Sequence, residues 1–283
     1  MLTLKNPKWI NEFFYQYDNF EQIPQHVFDE INKNLNTRLS SAPLVSIVIP
    51  AWNEEINILR AIASLSKTET TIPFEIIVVN NNSTDHTQLT LDKLHVTSLF
   101  EQKQGPGPAR QTGQEHAQGK YILLADADCF YPPLWLNKMI AALSQPNTVV
   151  VYGRYAFISE PGFPRWQLAI FETLKNIIAE VRHVKRPYLN TYGLSMGYIK
   201  ELGLKVGFIK SNYRGEDGVL TYDLMKYGTV NQVKSKNAII WTSPRTLQRN
   251  GTLLQALTSR IQREIFRFGE FFHTRMKSHA PRE

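Results

Sequence analysis

The chain has almost nothing with which to lock itself covalently: Cys129 is the only cysteine among 283 residues. No internal disulfide framework is available, which points to a reducing compartment, the cytoplasm. Long hydrophobic runs are also missing, and no stretch approaches the roughly 18 apolar residues that span a bilayer. The opening MLTLKNPKWINEFF lacks a basic stretch followed by an apolar one, so it does not read as a secretory signal. Membrane contact, if made, is expected to be peripheral, at the inner face. The segment SIVIPAWNEE (46–55) contains neither glycine nor lysine. That counts against a dinucleotide-dependent oxidoreductase, which needs G-x-G-x-x-G there, and against a nucleotidyltransferase with a basic phosphate loop. No internal repeat and no low-complexity segment interrupts the chain.

What is present is a folding composition. Hydrophobic residues make up 42% and charged residues 20%, with a formal charge of +7. A basic balance suits an anionic substrate, an acidic membrane surface or nucleic acid. No nucleic-acid module motif accompanies it, so nucleic acid is not expected as a partner.

Residues 1–42 read as a helical extension ahead of the main fold. Trp9, Ile10, Phe13, Phe14 and Tyr17 recur at helical spacing, and Val27, Phe28 and Ile31 begin a second short helix. From residue 43 apolar β-branched runs alternate with helical patterns: strands over 44–50, 75–79, 94–100 and 120–125, with helices between them. Asn53 has the chemistry of a helix N-cap, with Glu54 and Glu55 in the first turn, and Pro108 that of a first helical residue. This alternation predicts an α/β fold, a mostly parallel sheet flanked by helices with right-handed crossovers. Further on, a helix is expected over 164–183, loops over 188–197 and 203–215, and a helix opened by Glu216 and Asp217. Leu254, Leu257, Ile261, Ile265, Phe268 and Phe272 form an amphipathic stripe in residues 246–283. Residues 243–283 hold eight Lys or Arg against three Glu. A basic amphipathic helix over 252–277 packs on the body, pairs with a second copy in a homodimer, or lies on an anionic membrane.

The chemistry concentrates in KYILLADADC (120–129). Its four-residue apolar run ends in Asp126 and Asp128. Such a run suits a strand buried on both faces, and ligands of open α/β sheets bind just past the carboxyl ends of such strands. Two carboxylates there repel each other unless a cation or hydrogen-bond donors offset them. Mg²⁺ or Mn²⁺, bridging to a substrate diphosphate, is the natural solution.

Four motifs stand in order: SIVIPAWNEE (46–55), VVNNNSTDHT (78–87), ADAD (125–128) and GEDG (215–218), with PARQTG (108–113) between the second and third. Over about residues 44–245 the set resembles a family 2 glycosyltransferase with the GT-A (Rossmann-like) fold. The resemblance implies a GT-A domain over 43–245, with a nucleotide-binding half (43–130) and an acceptor half (131–245). It implies an inverting, metal-dependent enzyme that moves a sugar from a nucleotide-diphosphate donor (UDP first, GDP second) to a saccharide or lipid-linked hydroxyl acceptor. In this sequence Pro50, Ala51, Trp52, Glu54, Asn80, Asn81, Arg110 and Asp126 would line the donor nucleotide. Asn80 and Asn81 stand where the family usually has an acid, and an amide oxygen still accepts from a base N–H. Arg110, near a helix N-terminus, would form an anion site. Asp128 and Asp126 would hold Mn²⁺ or Mg²⁺. Asp217 would be the general base, kept ionised by its helix dipole. Tyr192, Ser195, Glu216 and Arg245 would contact the sugar or diphosphate. A non-catalytic nucleotide-binding scaffold is the alternative, and retention of both Asp128 and Asp217 argues against it.

Overall fold

The computed structural model describes residues 4–209 and 215–248. Among the described residues ten strands form two sheets: β1 (Val45–Ala51), β2 (Phe74–Asn80), β3 (Thr97–Phe100), β4 (Tyr121–Leu124), β5 (Cys129–Phe130), β6 (Thr148–Gly153), β7 (Tyr155–Phe157), β8 (Met196–Ile199), β9 (Thr229–Val233) and β10 (Ile240–Thr242). The main sheet has seven strands in the order β3-β2-β1-β4-β8-β6-β9. Every neighbouring pair is parallel except β8, which runs antiparallel to both β4 and β6. A small sheet, β5-β10-β7, sits beside it.

The apolar runs explain why the sheet is covered on both sides. Side chains alternate along a strand. Val45, Ile47 and Ile49 therefore join Leu123 and the helix Asn57–Leu65 in one core, while Val48, Ile77, Val79, Ile122 and Leu124 face the other way, towards Ala109 and Tyr198. β1, β2 and β4 are buried almost throughout, as expected for interior strands.

Several local expectations change. Residues 8–13 form a 3₁₀ helix rather than an amphipathic α-helix, Pro7 being its extended N-cap. Ile10 and Phe13 are nevertheless buried, in the same core as Phe28, Ile31 and β1. The second helix is present as Gln25–Asn36. Asn53 is not an N-cap. It adopts φ 54°, and the helix begins at Asn57. The 106–116 helix starts at Pro106 rather than Pro108, after Gly105 at φ 134°. The expected loop over 188–197 hides the start of β8, which is short and carries Gly197 in its centre. A Cβ there would lie 2.5 Å from Leu123 Cδ2, so only glycine lets β8 pass this close to β4. The expected loop from Gly203 begins later, because a helix spans Lys200–Val206. The amphipathic stripe of 254–272 and the charges of 252–277 lie outside the described residues.

Candidate active site

The carboxyl ends of β1, β2 and β4 open on one side of the sheet, and the loops that follow them are tied together. Asn53 does the tying. Its left-handed backbone turns the side chain so that Oδ1 accepts from the Thr84 N–H at 2.8 Å, and its own N–H donates to Ser83 Oγ at 3.0 Å. The Glu54 N–H donates to Thr87 Oγ1 at 2.9 Å. Pro50 and Ala51 are the last residues of β1, in register with Val79 and Asn80. Trp52 follows and is 55% exposed, a large ring left open at the strand end.

Asn80 and Asn81 are used differently from the expectation. Both are buried. Asn80 Nδ2 donates to Gln88 Oε1 at 2.8 Å and its Oδ1 accepts from the Ser83 N–H at 3.0 Å. Asn81 Nδ2 donates to the carbonyls of Glu101 and Lys103, and its Oδ1 accepts from the Gly105 N–H at 2.7 Å. The amides brace the turn and the start of the 106–116 helix, and each oxygen accepts one hydrogen bond within the fold, keeping its second lone pair.

Asp126 and Asp128 stand just past β4 with separate cationic partners. Asp128 Oδ2 accepts from Arg245 Nη2 at 3.1 Å, and the same nitrogen lies 3.6 Å from Glu54 Oε2. Arg245 follows β10, so the small sheet carries it to the strand end. Burial raises the Glu54 carboxyl, and Arg245 opposes that rise. The Asp126 N–H donates to the hydroxyl of buried Tyr131 at 2.7 Å, and that hydroxyl donates to the Leu194 carbonyl at 3.2 Å. Tyr131 thus fixes the backbone between the two aspartates and the 193–195 turn. No sequence motif marked it.

Arg110 gathers the rest. It is the fifth residue of its helix, two residues further in than expected, and only 4% exposed. Nη2 donates to Asp126 Oδ1 at 2.9 Å, and Nη1 donates to both Glu216 Oε1 and Asp217 Oδ1. The Gly193 N–H donates to Asp217 Oδ2 at 2.8 Å. Burial acts to lower the Arg110 pKa, but Asp217, Asp126 and Glu216 outweigh it and the net shift is upward. Burial raises Asp126 against the pull of Arg110. Asp217 is pushed up to about 7, by burial first and then by Glu216 and Asp126, although Arg110 pulls it down. Its helix, Glu216–Leu224, places it in the first turn as expected, but burial overrides the dipole.

Tyr192 is 40% exposed and meets Tyr155 edge to face at 5.7 Å. Ser195 points inward instead of toward a sugar. It is buried, accepts from Trp135 Nε1 at 3.0 Å, and lies against Met139.

An open, mostly parallel sheet with one antiparallel strand and acidic residues grouped past its carboxyl ends defines a GT-A-type fold. Residues 46–202 match the family model described as Glycosyl transferase family 2, and the chain belongs to that family. An uncharacterised glycosyltransferase of Haemophilus influenzae is 34% identical over 142 residues, 48% of this chain and 55% of the relative. The chain spans about half the length of the curated relatives it matches. Among solved structures, Staphylococcus aureus TarS 1–349 in complex with UDP-GlcNAc superposes with a TM-score of 0.55 at 21% identity, covering 70% of this chain and 58% of that one. The mannosyltransferase PcManGT of Pyrobaculum calidifontis, in complex with GDP-Man and Mn²⁺, gives 0.56 at 17% identity, covering 83% and 70%.

Proposed function

We propose that the chain transfers a sugar from a nucleotide-diphosphate donor to a hydroxyl acceptor with inversion, by single displacement. The observation that carries this reading is the shared guanidinium of Arg110, which joins the GEDG carboxylates to the first aspartate of ADAD. Base candidate and the first aspartate of ADAD thereby meet on one side chain. The acceptor oxygen attacks the anomeric carbon as its proton passes to Asp217, and the bond from that carbon to the diphosphate breaks. A carboxyl with a pKa near 7 is suited to this, since base strength and ionised fraction are then balanced at neutral pH. Trp52, exposed beside the tied β1 and β2 loops, offers a ring for the nucleobase. UDP is the first choice and GDP the second, the nucleotides named for the two solved neighbours.

Asp126 and Asp128 fit a hard divalent ion. Among the described residues no group of three or more His, Cys, Asp or Glu is arranged to hold a metal. Mg²⁺ and Mn²⁺ sites of this kind use one or two carboxylates and complete themselves with substrate phosphates. Asp126 and Asp128 would hold the ion, which would supply positive charge to the leaving group. Arg245 already lies on Asp128 and would offer a second cation there.

The acceptor is a saccharide or a lipid-linked sugar, in polysaccharide or glycolipid synthesis. No helix among the described residues is long and apolar enough to cross a membrane. The proposed division keeps 1–42 as an extension, 43–245 as the catalytic domain and 246–283 as a terminal segment. The experiment is a panel of UDP-, GDP- and dTDP-sugars with Mn²⁺, read as released nucleoside diphosphate. One donor should turn over, and Asp217→Asn should lose about 10²-fold or more of that rate. A parental rate in Asp217→Asn contradicts the base assignment.

A further inference from the structure

We infer that Arg110 is a positioning residue for the Glu216–Asp217 pair and not a ligand of the donor phosphates. This rests on the proposed role of Asp217 and adds to it. The guanidinium is 4% exposed and already donates to three carboxylates: Asp126, Glu216 and Asp217. A diphosphate brought to the same nitrogens would have to compete with three carboxyl groups for one buried positive charge, at short range and out of water. Three of the five Arg110 N–H donors are taken by these carboxylates; what is left is one Nη2–H and the Nε–H, and Nε is buried with the rest of the side chain. The fork geometry of arginine serves the opposite purpose. One planar group with fixed N–H directions sets the relative positions of several oxygens at once.

The backbone opposite is shaped to this guanidinium. A Cβ on Gly193 would lie 1.9 Å from Arg110 Nη2 and 2.2 Å from its Cζ. Glycine is required there because it leaves room for the guanidinium. The backbone N–H at this position, 2.8 Å from Asp217 Oδ2, holds the second carboxylate oxygen while Arg110 holds the first. Asp217 is clamped from both sides by groups that need not touch substrate. The turn carrying Gly193 is itself tied to the aspartate strand end, through the Leu194 carbonyl and the Tyr131 hydroxyl.

The test measures nucleotide affinity and turnover separately, in the full chain, for Arg110→Lys, Gly193→Ala, Asp217→Asn and the double variant Arg110→Lys/Asp217→Asn. Affinity is read by calorimetry with UDP and with GDP, each with Mn²⁺, and turnover with the donor that the panel identifies. Lysine keeps the charge and loses the fork, and Gly193→Ala disturbs the same contact with no change of charge, so neither depends on tolerating three unpaired buried carboxylates. The expected result is a Kd within about twofold of the parent in Arg110→Lys and in Gly193→Ala, with kcat down by at least tenfold. The double variant should be no slower than Asp217→Asn alone, because residues acting through one group are not additive. A Kd weakened tenfold or more in Arg110→Lys, with kcat retained, overturns the inference and makes Arg110 a phosphate ligand. Multiplied losses in the double variant also overturn it. Parental turnover in Asp217→Asn contradicts the base reading instead, and the Kd of Arg110→Lys remains decisive for Arg110.

Discussion

Arg245 Nη2 lies 3.1 Å from Asp128 Oδ2, joining the end of the small sheet to the end of β4. The pair is partly exposed, so its contribution to stability is small. Its value is positional: it holds a cation at the place where a diphosphate would gather charge.

Arg245→Met should therefore leave the melting temperature nearly unchanged and weaken turnover. A charge-assisted hydrogen bond to a leaving group is worth about 1.5–3 kcal/mol, or roughly 10–150-fold in kcat/KM. Steady-state kinetics with varied donor check this.

The pH profile follows from Asp217. Its carboxyl is pushed up to about 7 in the fold by burial and by neighbouring Glu216. The base form grows as pH rises through that value, so kcat/KM should climb along an acidic limb centred near 7. Glu216→Gln removes a negative neighbour and should move the limb to lower pH. Stability carries the opposite sign. The unfolded carboxyl titrates at about 3.9, so between about 4 and 7 the folded state holds more of the proton. The stability contributed by this group is full below pH 4, falls as pH rises to about 7, and levels off above it. Urea denaturation of parent and Asp217→Asn across this range isolates the difference.

Trp52 is 55% exposed where the β1 and β2 loops meet. Trp52→Ala should raise the nucleotide Kd by about 3–10-fold, the worth of one aromatic contact, with kcat little changed. Calorimetry with UDP or GDP reads it directly.

Gly197→Ala tests the packing of β8. The added Cβ would sit 2.5 Å from Leu123 Cδ2 and 3.2 Å from the Ile122 carbonyl. Overpacking of this kind costs about 1–3 kcal/mol, visible as a lower denaturation midpoint with an unchanged slope.

The parts of this fold readable from sequence are those with strong local signals. LVSIVIP, EIIVV and YILL are apolar and β-branched or aromatic, and they became β1, β2 and β4 side by side. ADAD and GEDG were recognisable because acids at a strand end or a helix start are conspicuous. β8 was hidden because Gly197 looks like a loop residue, and the reason for that glycine is a neighbour far away in sequence. Asn80 and Asn81 read as ligands by their place after β2, yet their partners, Ser83, Gln88, Glu101, Lys103 and Gly105, are chosen by the fold. The grouping of Arg110 with three carboxylates also had no local signature. Each residue alone resembles a surface charge, and only the packing of the 106–116 helix against β1 and β2 brings them together.

The most direct test of the account is thermal denaturation of the full chain with UDP, GDP, dTDP and CDP, each with and without Mn²⁺. A ligand that binds only the folded state at 100 times its Kd adds about 2.7 kcal/mol. The account predicts a rise in melting temperature with one nucleotide, dependent on Mn²⁺ and abolished in Asp128→Ala. No rise with any of the four at millimolar concentration, or an equal rise in Asp128→Ala, contradicts it.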